Sequence, residues 1–363
     1  MIPVTKPFLA PRAEYEAYLA GIWQRNWLTN NGPLVNELEL KLKQYLNVPH
    51  LLYVTNGTIA LQLAIKALDL KGEIITTPFS YVATTSSILW EGCTPVFVDI
   101  DPQTLTIDPA RIETAITEKT SAILATHVYG NPCDIDAIAE IAGRHGLKVI
   151  YDAAHAFGTR YKGQSVFAYG DISTTSFHAT KLYHTVEGGA VFTANADLLK
   201  RLAFLRNFGH NGPEDFEEVG INGKNSEFHA AMGLVNLKHV AAILASRQAQ
   251  SAYYDHWFRE LERPRLAIRP QAEFNFAYYP FFFNDEMALQ RAVRELEAHR
   301  IFPRRYFHPS LDAVEIFASY APSALPVSRG VCARVLCLPL YPGLSTEEQD
   351  LVARMILRSW NNP

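Results

Sequence analysis

Apolar residues recur at helical spacing twice in the first forty-odd positions, over Ala13 to Arg25 and over Leu34 to Leu46. Asn30-Asn31-Gly32-Pro33 between them reads as a turn, with Pro33 suited to the first position of the second helix. From His50 the period changes. Short β-rich runs end at Thr55, Thr77, Asp99, Thr126 and Asp152, and helical stretches near residues 58–68, 81–91, 109–117 and 134–145 fill the gaps. Such alternation predicts an α/β fold with a mostly parallel central sheet covered by helices on both faces. After Gly188-Gly189 a strand (Ala190 to Thr193) and a helix (Asp197 to Asn207) are expected, then a Gly/Asn-rich loop from Gly209 to Asn225. A long helical stretch from Glu227 to about Glu262, expected to bend or break on the way, leads into a smaller part. That part carries Pro-interrupted aromatics (Phe274 to Phe283), a helix near 286–299 and a closing helix from Ser345. The expected organisation is a large domain over residues 1–250 and a smaller C-terminal α+β domain over 251–363.

Composition narrows the function. In 363 residues, 48% apolar and 19% charged, Lys+Arg number 33 against 37 for Asp+Glu, so the net charge is -4 and the chain is globular without the basic excess a nucleic-acid binder needs. No run approaches the ~18 apolar residues that span a bilayer. Met1 to Arg12 also lacks the apolar core of a signal peptide, so the expectation is a cytoplasmic protein with neither nucleic acid nor membrane as partner. Cys93, Cys133, Cys332 and Cys337 form no C-x-x-C pair and have no clustered histidines around them. Buried free thiols are expected, with no disulfide framework and no metal site.

In open sheets of this kind ligands bind beyond the carboxyl ends of the strands, so the polar residues just after the β-rich runs come first. Asn56-Gly57-Thr58 opens an apolar-periodic segment, and a helix start there offers free N–H groups to a phosphate; an ordinary cap explains the same three residues. Asp152 ends the apolar run from Leu147, and a carboxylate delivered to the edge of a buried strand implies a cationic partner, in a ligand or in a structural ion pair. His155, three residues on, is suited to stack on a flat ligand or to fill a satisfied core position. Lys181 follows the hydroxyl-rich Thr174-Thr175-Ser176 and precedes Glu187-Gly188-Gly189, where the chain can approach something closely. In a dry pocket a lysine loses its proton readily and attacks a carbonyl; a solvated lysine does neither. Together, a phosphate cradle, a strand-end carboxylate and a lysine twenty-nine residues beyond it are the parts that pyridoxal phosphate requires.

Read end to end, the chain resembles the DegT/StrS family of sugar-nucleotide aminotransferases. The resemblance is carried by Trp27 to Pro33, Asn56 to Leu61, Pro95 to Asp101, His127 to Pro132, Asp152 to Gly158, Ser176 to Lys181, Glu187-Gly188-Gly189 and Gly220 to Lys224. It implies the type I aminotransferase fold and pyridoxal 5'-phosphate, cycling through pyridoxamine 5'-phosphate. Lys181 corresponds to the lysine that holds the cofactor covalently and Asp152 to the carboxylate on the pyridine nitrogen. His155 falls where many members have Gln, beside the ring. Gly57, Thr58 and Ser176 match the phosphate cradle, and Tyr81 an aromatic that lies against the ring. Asn222 matches an asparagine that reaches the phosphate of the neighbouring subunit, which implies a homodimer with shared active sites. Two positions depart from the common pattern: Asn225 stands where Met is frequent and Lys224 where Arg is frequent.

The resemblance further implies a two-half reaction in which L-glutamate gives its amino group to the cofactor and a ketone carbon of a nucleotide-linked sugar receives it. Related dehydratases have histidine in place of the lysine, so Lys181 favours transamination. Arg304 to Pro309 resembles the substrate-side segment, with Arg305 toward the diphosphate and Tyr306 and His308 toward the sugar; a solvated basic turn is the alternative. The motif combination is most similar to members that aminate C4 of dTDP-4-keto-6-deoxyglucose. A C3 aminotransferase, one acting on a GDP- or UDP-linked keto sugar, and a non-catalytic sensor or scaffold that keeps the cofactor pocket stay open as alternatives.

Overall fold

The computed structural model describes residues 1–321 and 325–361. A two-residue strand, β1 (Ile2–Pro3), precedes α1 (Arg12–Arg25) and α2 (Pro33–Leu46). Pro33 takes the first turn of α2 as its fixed φ favours, and the next two amides, of Leu34 and Val35, donate to the buried Glu227 carboxylate at 3.1 and 3.0 Å. The expected alternation follows: β2 (His50–Val54), α3 (Gly57–Ala67), β3 (Glu73–Thr76), α4 (Val82–Trp90), β4 (Thr94–Phe97), α5 (Pro109–Ala115), β5 (Thr120–Thr126), α6 (Ile135–His145) and β6 (Lys148–Asp152). Two short strands, β7 (Arg160–Tyr161) and β8 (Gln164–Ser165), pair with each other before β9 (Ile172–Ser176) and β10 (Gly189–Thr193) return to the main sheet.

That sheet has seven strands in the order β2-β10-β9-β6-β5-β3-β4. Helices bury both faces, so most of its strands read as apolar runs rather than alternating ones; β9, Ile172-Ser173-Thr174-Thr175-Ser176, is the hydroxyl-bearing exception. All are parallel except β10, which runs antiparallel to both β2 and β9. The exception has a local cause: only residues 177–188 join β9 to β10, with no crossover helix, and such a link can return the chain only in the opposite direction. Phe177 N–H bonds the Gly188 carbonyl at 2.7 Å and Thr185 N–H bonds that of Phe177 at 2.9 Å, closing this link into a tight loop.

Beyond α7 (Ala196–Arg206), the long helical stretch is two helices, α8 (Glu227–Leu237) and α9 (Val240–Trp257), bent by 60° at Lys238-His239. There follow β11 (Ala272–Glu273), β12 (Tyr279–Phe282), α10 (Glu286–Ala298), β13 (Ile301–Phe302), α11 (Pro326–Arg334), β14 (Val335–Leu338) and α12 (Thr346–Asn361). Strands β12 and β14 pair antiparallel, and β1 pairs with β13, so the first residues of the chain join its C-terminal part. Tyr254 and Phe258, at the end of α9, pack into that part's core with Phe281, Leu296 and Val352. Among the described residues, no single helix is long and apolar enough to cross a membrane and no three His, Cys, Asp or Glu side chains gather as metal ligands. All four cysteines are free and buried.

Candidate active site

Strand register brings the sequence-derived candidates to one edge of the sheet. Val54 pairs with Gly189, Gly189 with Ser176, and Asp152 with Thr174, so β2, β10, β9 and β6 end or begin at nearly the same level. Gly189 is required there: a Cβ on it would lie 2.5 Å from the Asn56 carbonyl carbon and oxygen. Just above, the Asn56 side chain accepts the Ile59 N–H at 2.9 Å and caps α3, while the amides of Gly57 and Thr58 have no partner within the helix. Ser176 closes the cradle from β9. A Cβ on Gly57 would stand 2.8 Å from the Ser176 Cβ, a separation real side chains do not reach.

Gly57→Ala therefore pushes Ser176 away from the helix start. Overpacking of this kind costs about 1–3 kcal/mol, and we expect phosphate-bearing cofactor to bind the cofactor-free protein roughly tenfold to a hundredfold more weakly, read by fluorescence titration. Unchanged affinity would remove Gly57 from the cradle.

Asp152 is buried at the end of β6. Its Oδ2 accepts the Thr84 hydroxyl at 2.7 Å and its Oδ1 the Ala154 N–H at 3.1 Å. Burial raises the carboxyl above its usual range, and the Thr84 hydroxyl, the Ala154 amide and the positive charge of Lys181 oppose the rise. Lys181 sits in the turn after β9, its own N–H on the His178 carbonyl at 2.9 Å. The residue as a whole keeps partial exposure, but its amine is desolvated and pushed down to about 8, against the pull of Asp152 in the other direction. His155 is buried and held well below the usual imidazole range by that burial and by the charge of Lys181. Its Nδ1 accepts the Tyr129 N–H at 3.2 Å, which leaves the ring proton on Nε2. Lysine, carboxylate and imidazole thus share one electrostatic environment.

The lowered lysine has a direct consequence for pH. Below about 8 the amine is mostly protonated and above it mostly neutral, so covalent capture of an aldehyde by the cofactor-free protein should rise about tenfold per pH unit up to roughly 8 and then level off. Stopped-flow absorbance on mixing with pyridoxal phosphate measures this. A rate still climbing steeply at pH 9.5 to 10, about where an ordinary lysine titrates, would show that the amine is solvated.

Aromatic rings wall the site on the side of His155. Phe307 lies flat against the imidazole, with centroids 5.6 Å apart and 10° between planes, and Tyr278 packs at 4.6 Å. Tyr306 stands edge-on to Tyr278 at 5.3 Å, and its carbonyl accepts the Tyr129 hydroxyl. Tyr81 is exposed at the start of α4, within electrostatic reach of the Tyr306 phenol. His308, next in the chain after Phe307, is exposed and lies within electrostatic reach of Arg305 and Glu286.

Two expected site residues stand apart from the cluster. Arg305 gives Nη2 to the Glu286 carboxylate at 3.1 Å and to the Cys332 carbonyl at 2.9 Å, and so is engaged within the C-terminal part. Asn222 is exposed; its Oδ1 accepts the Lys224 ammonium at 2.9 Å, and Lys224 is itself buried with its charge 4.5 Å above the Phe208 ring. Asn225 is buried and fastened to the Tyr53 hydroxyl and the Glu187 carbonyl, both at 3.0 Å. Sequence reasoning missed Thr84, Tyr278 and Phe307. For Thr84 a signal existed: Thr84-Thr85-Ser86-Ser87 is a run of weak helix formers in a short helix that follows a strand end.

Residues 11–357 match the sequence profile of the DegT/DnrJ/EryC1/StrS aminotransferase family. A dTDP-4-amino-4,6-dideoxy-D-glucose transaminase of Shigella dysenteriae is 42% identical over 357 residues, 97% of each chain. One of the same name from Escherichia coli is 40% identical over 365 residues, 98% of each. Among solved structures, DesI in the presence of its TDP-sugar product superposes with a TM-score of 0.94 at 33% identity, over 99% of this chain and 93% of that one.

Proposed function

The chain belongs to the DegT/DnrJ/EryC1/StrS aminotransferase family, whose members depend on pyridoxal phosphate, and from that premise we propose that it moves an amino group from L-glutamate to C4 of a nucleotide-linked 4-keto-6-deoxy sugar. dTDP-4-keto-6-deoxyglucose is the proposed acceptor, because the two relatives at 40 and 42% identity carry that sugar's 4-amino derivative in their names. The observation that carries the reading is the meeting of a desolvated lysine, a buried carboxylate and an anion cradle at one sheet edge.

These residues fit the cofactor. The Gly57 and Thr58 amides and the Ser176 hydroxyl would hold its phosphate, Lys181 its aldehyde carbon, Asp152 its ring nitrogen, and His155 with Tyr81 its ring. When bound, it supplies an electron-withdrawing ring that stabilises negative charge on the α-carbon of the amino donor. Lys181 Nζ, with its proton affinity lowered by burial, takes the proton from the donor's α-carbon and returns it on the other side of the transfer. Asp152, ionised, holds a proton on the ring nitrogen. His155 stays neutral and keeps its place through the Tyr129 amide and the Phe307 ring. Tyr306 and His308 would border the space for the sugar, and Arg305, its Nη2 held by Glu286 and the Cys332 carbonyl, would keep this segment in place. The proposal includes a homodimer acting in the cytoplasm. Asn222 is exposed beside the exposed apolar Phe208, Val219 and Ile221, as a residue that completes the phosphate cradle of a second copy would be.

Incubation with L-glutamate and a panel of dTDP-, GDP- and UDP-linked 4-keto and 3-keto sugars tests the reading. 2-Oxoglutarate should form fastest with the dTDP-linked 4-keto-6-deoxy sugar, the amine appearing at C4. Preference for a 3-keto or a GDP- or UDP-linked sugar would overturn the substrate, and absence of 2-oxoglutarate with every sugar would overturn catalysis and favour a sensor.

A further inference from the structure

The hydrogen bonds of Asp152 continue past its own carboxylate. Thr84 Oγ1 lies 2.7 Å from Ser80 Oγ, and Ser80 Oγ lies 3.1 Å from Thr126 Oγ1. All three hydroxyls are buried, and they come from three elements: the first turn of α4, the loop before it and the end of β5. An ionised carboxylate can only accept, so Thr84 donates to Asp152 Oδ2. The Thr84 oxygen is then free to receive the Ser80 proton, and the Ser80 oxygen that of Thr126. Every proton in the chain thus points toward the carboxylate, and aligned hydroxyls polarise one another.

We propose that Thr84, backed by Ser80 and Thr126, is a positioning residue for Asp152 that keeps its carboxylate an anion and fixes it in one orientation toward the cofactor's ring nitrogen. The proposal rests on the reading of Asp152 given above. A buried anion must be compensated or it takes up a proton. Ala154 satisfies one oxygen, and the other depends on Thr84. Without that hydroxyl the carboxylate is more basic, and the proton shared between it and the ring nitrogen moves toward the carboxylate. The ring then withdraws electrons less strongly.

Pyridoxal phosphate labelled with 15N at the ring nitrogen, bound to wild type, Thr84→Val, Thr84→Ser and Asp152→Asn, reports that proton directly by NMR. Wild type should show a protonated nitrogen and Asp152→Asn an unprotonated one. Thr84→Val should move the resonance part of the way to the unprotonated position and lower turnover about tenfold to a hundredfold, the loss expected for a hydrogen bond to a charged group. Thr84→Ser, which keeps the hydroxyl, should restore both. A wild-type resonance in Thr84→Val, with Asp152→Asn unprotonated, would overturn the positioning role and leave the reading of Asp152 intact. A protonated nitrogen in Asp152→Asn would overturn that reading itself. If Thr84→Val fails to fold, Ser80→Ala takes its place: it removes the hydroxyl that feeds Thr84, and should shift the resonance the same way by less. No shift there would equally overturn the proposal.

Discussion

Lys181→Ala should lose essentially all turnover, by about a thousandfold or more, while keeping the fold. General base catalysis alone accounts for about 10²–10⁴ in rate, and the covalent hold on the cofactor is lost as well. The side chain is placed by the turn in which its N–H meets the His178 carbonyl, and by the hairpin closed between Phe177, Thr185 and Gly188. Its charge acts on both Asp152 and His155, in keeping with an amine aimed into the space they line. Steady-state assays with glutamate, alongside thermal melting to show an intact fold, make the comparison. Turnover within tenfold of wild type would mean that the lysine is a bystander.

Asp152→Asn is expected to bind cofactor and lose most of its activity, by roughly a thousandfold. A carboxylate about 4 Å from a cation is worth ~4 kcal/mol at an effective dielectric of 20, and one pKa unit is about 1.4 kcal/mol. The ring nitrogen therefore gains about three units of proton affinity from the charge. Asparagine can still meet the Thr84 hydroxyl and fill the same volume, so the change removes charge with little loss of packing. Single-turnover kinetics with glutamate isolate the step. Near-normal rates would mean that the ring nitrogen is protonated without Asp152, and that the carboxylate is structural.

Much of this arrangement was legible in the chain. The ends of the β-rich runs at Thr55, Thr126 and Asp152 fall within one residue of the observed strand ends, because apolar runs bounded by polar residues mark strands buried on both faces. Pro33 lay where turn chemistry placed it, and the long stretch after Glu227 does break, although its length gave no position for the bend that falls between Leu237 and Val240. Lys181, Asp152 and His155 could be singled out because each is costly to bury without a purpose, and the structure gathers them. What periodicity does not carry is partnership across the sheet. The insertion of β10 between β2 and β9 depends on pairing, to which Gly189 gives a hint only once Asn56 is known to lie over it. The run of weak helix formers at Thr84 marks that helix start as unusual, but neither it nor Ser80 names a partner until the fold brings Asp152, 68 residues from Thr84, to their side. Phe307 and Tyr278 likewise read as core. Their contact with His155 spans more than a hundred residues and has no signature in local spacing. Arg305 shows the opposite case: a basic residue in a substrate-like motif, part of whose guanidinium is tied to Glu286 and the Cys332 carbonyl.

The attachment point of the cofactor tests the account most directly. Protein loaded with pyridoxal phosphate, reduced with borohydride, digested and mapped by mass spectrometry should carry the pyridoxyl group on the peptide containing Lys181, and lose it in Lys181→Ala. Label on a different lysine, or no label on protein that has visibly bound the cofactor, would contradict it.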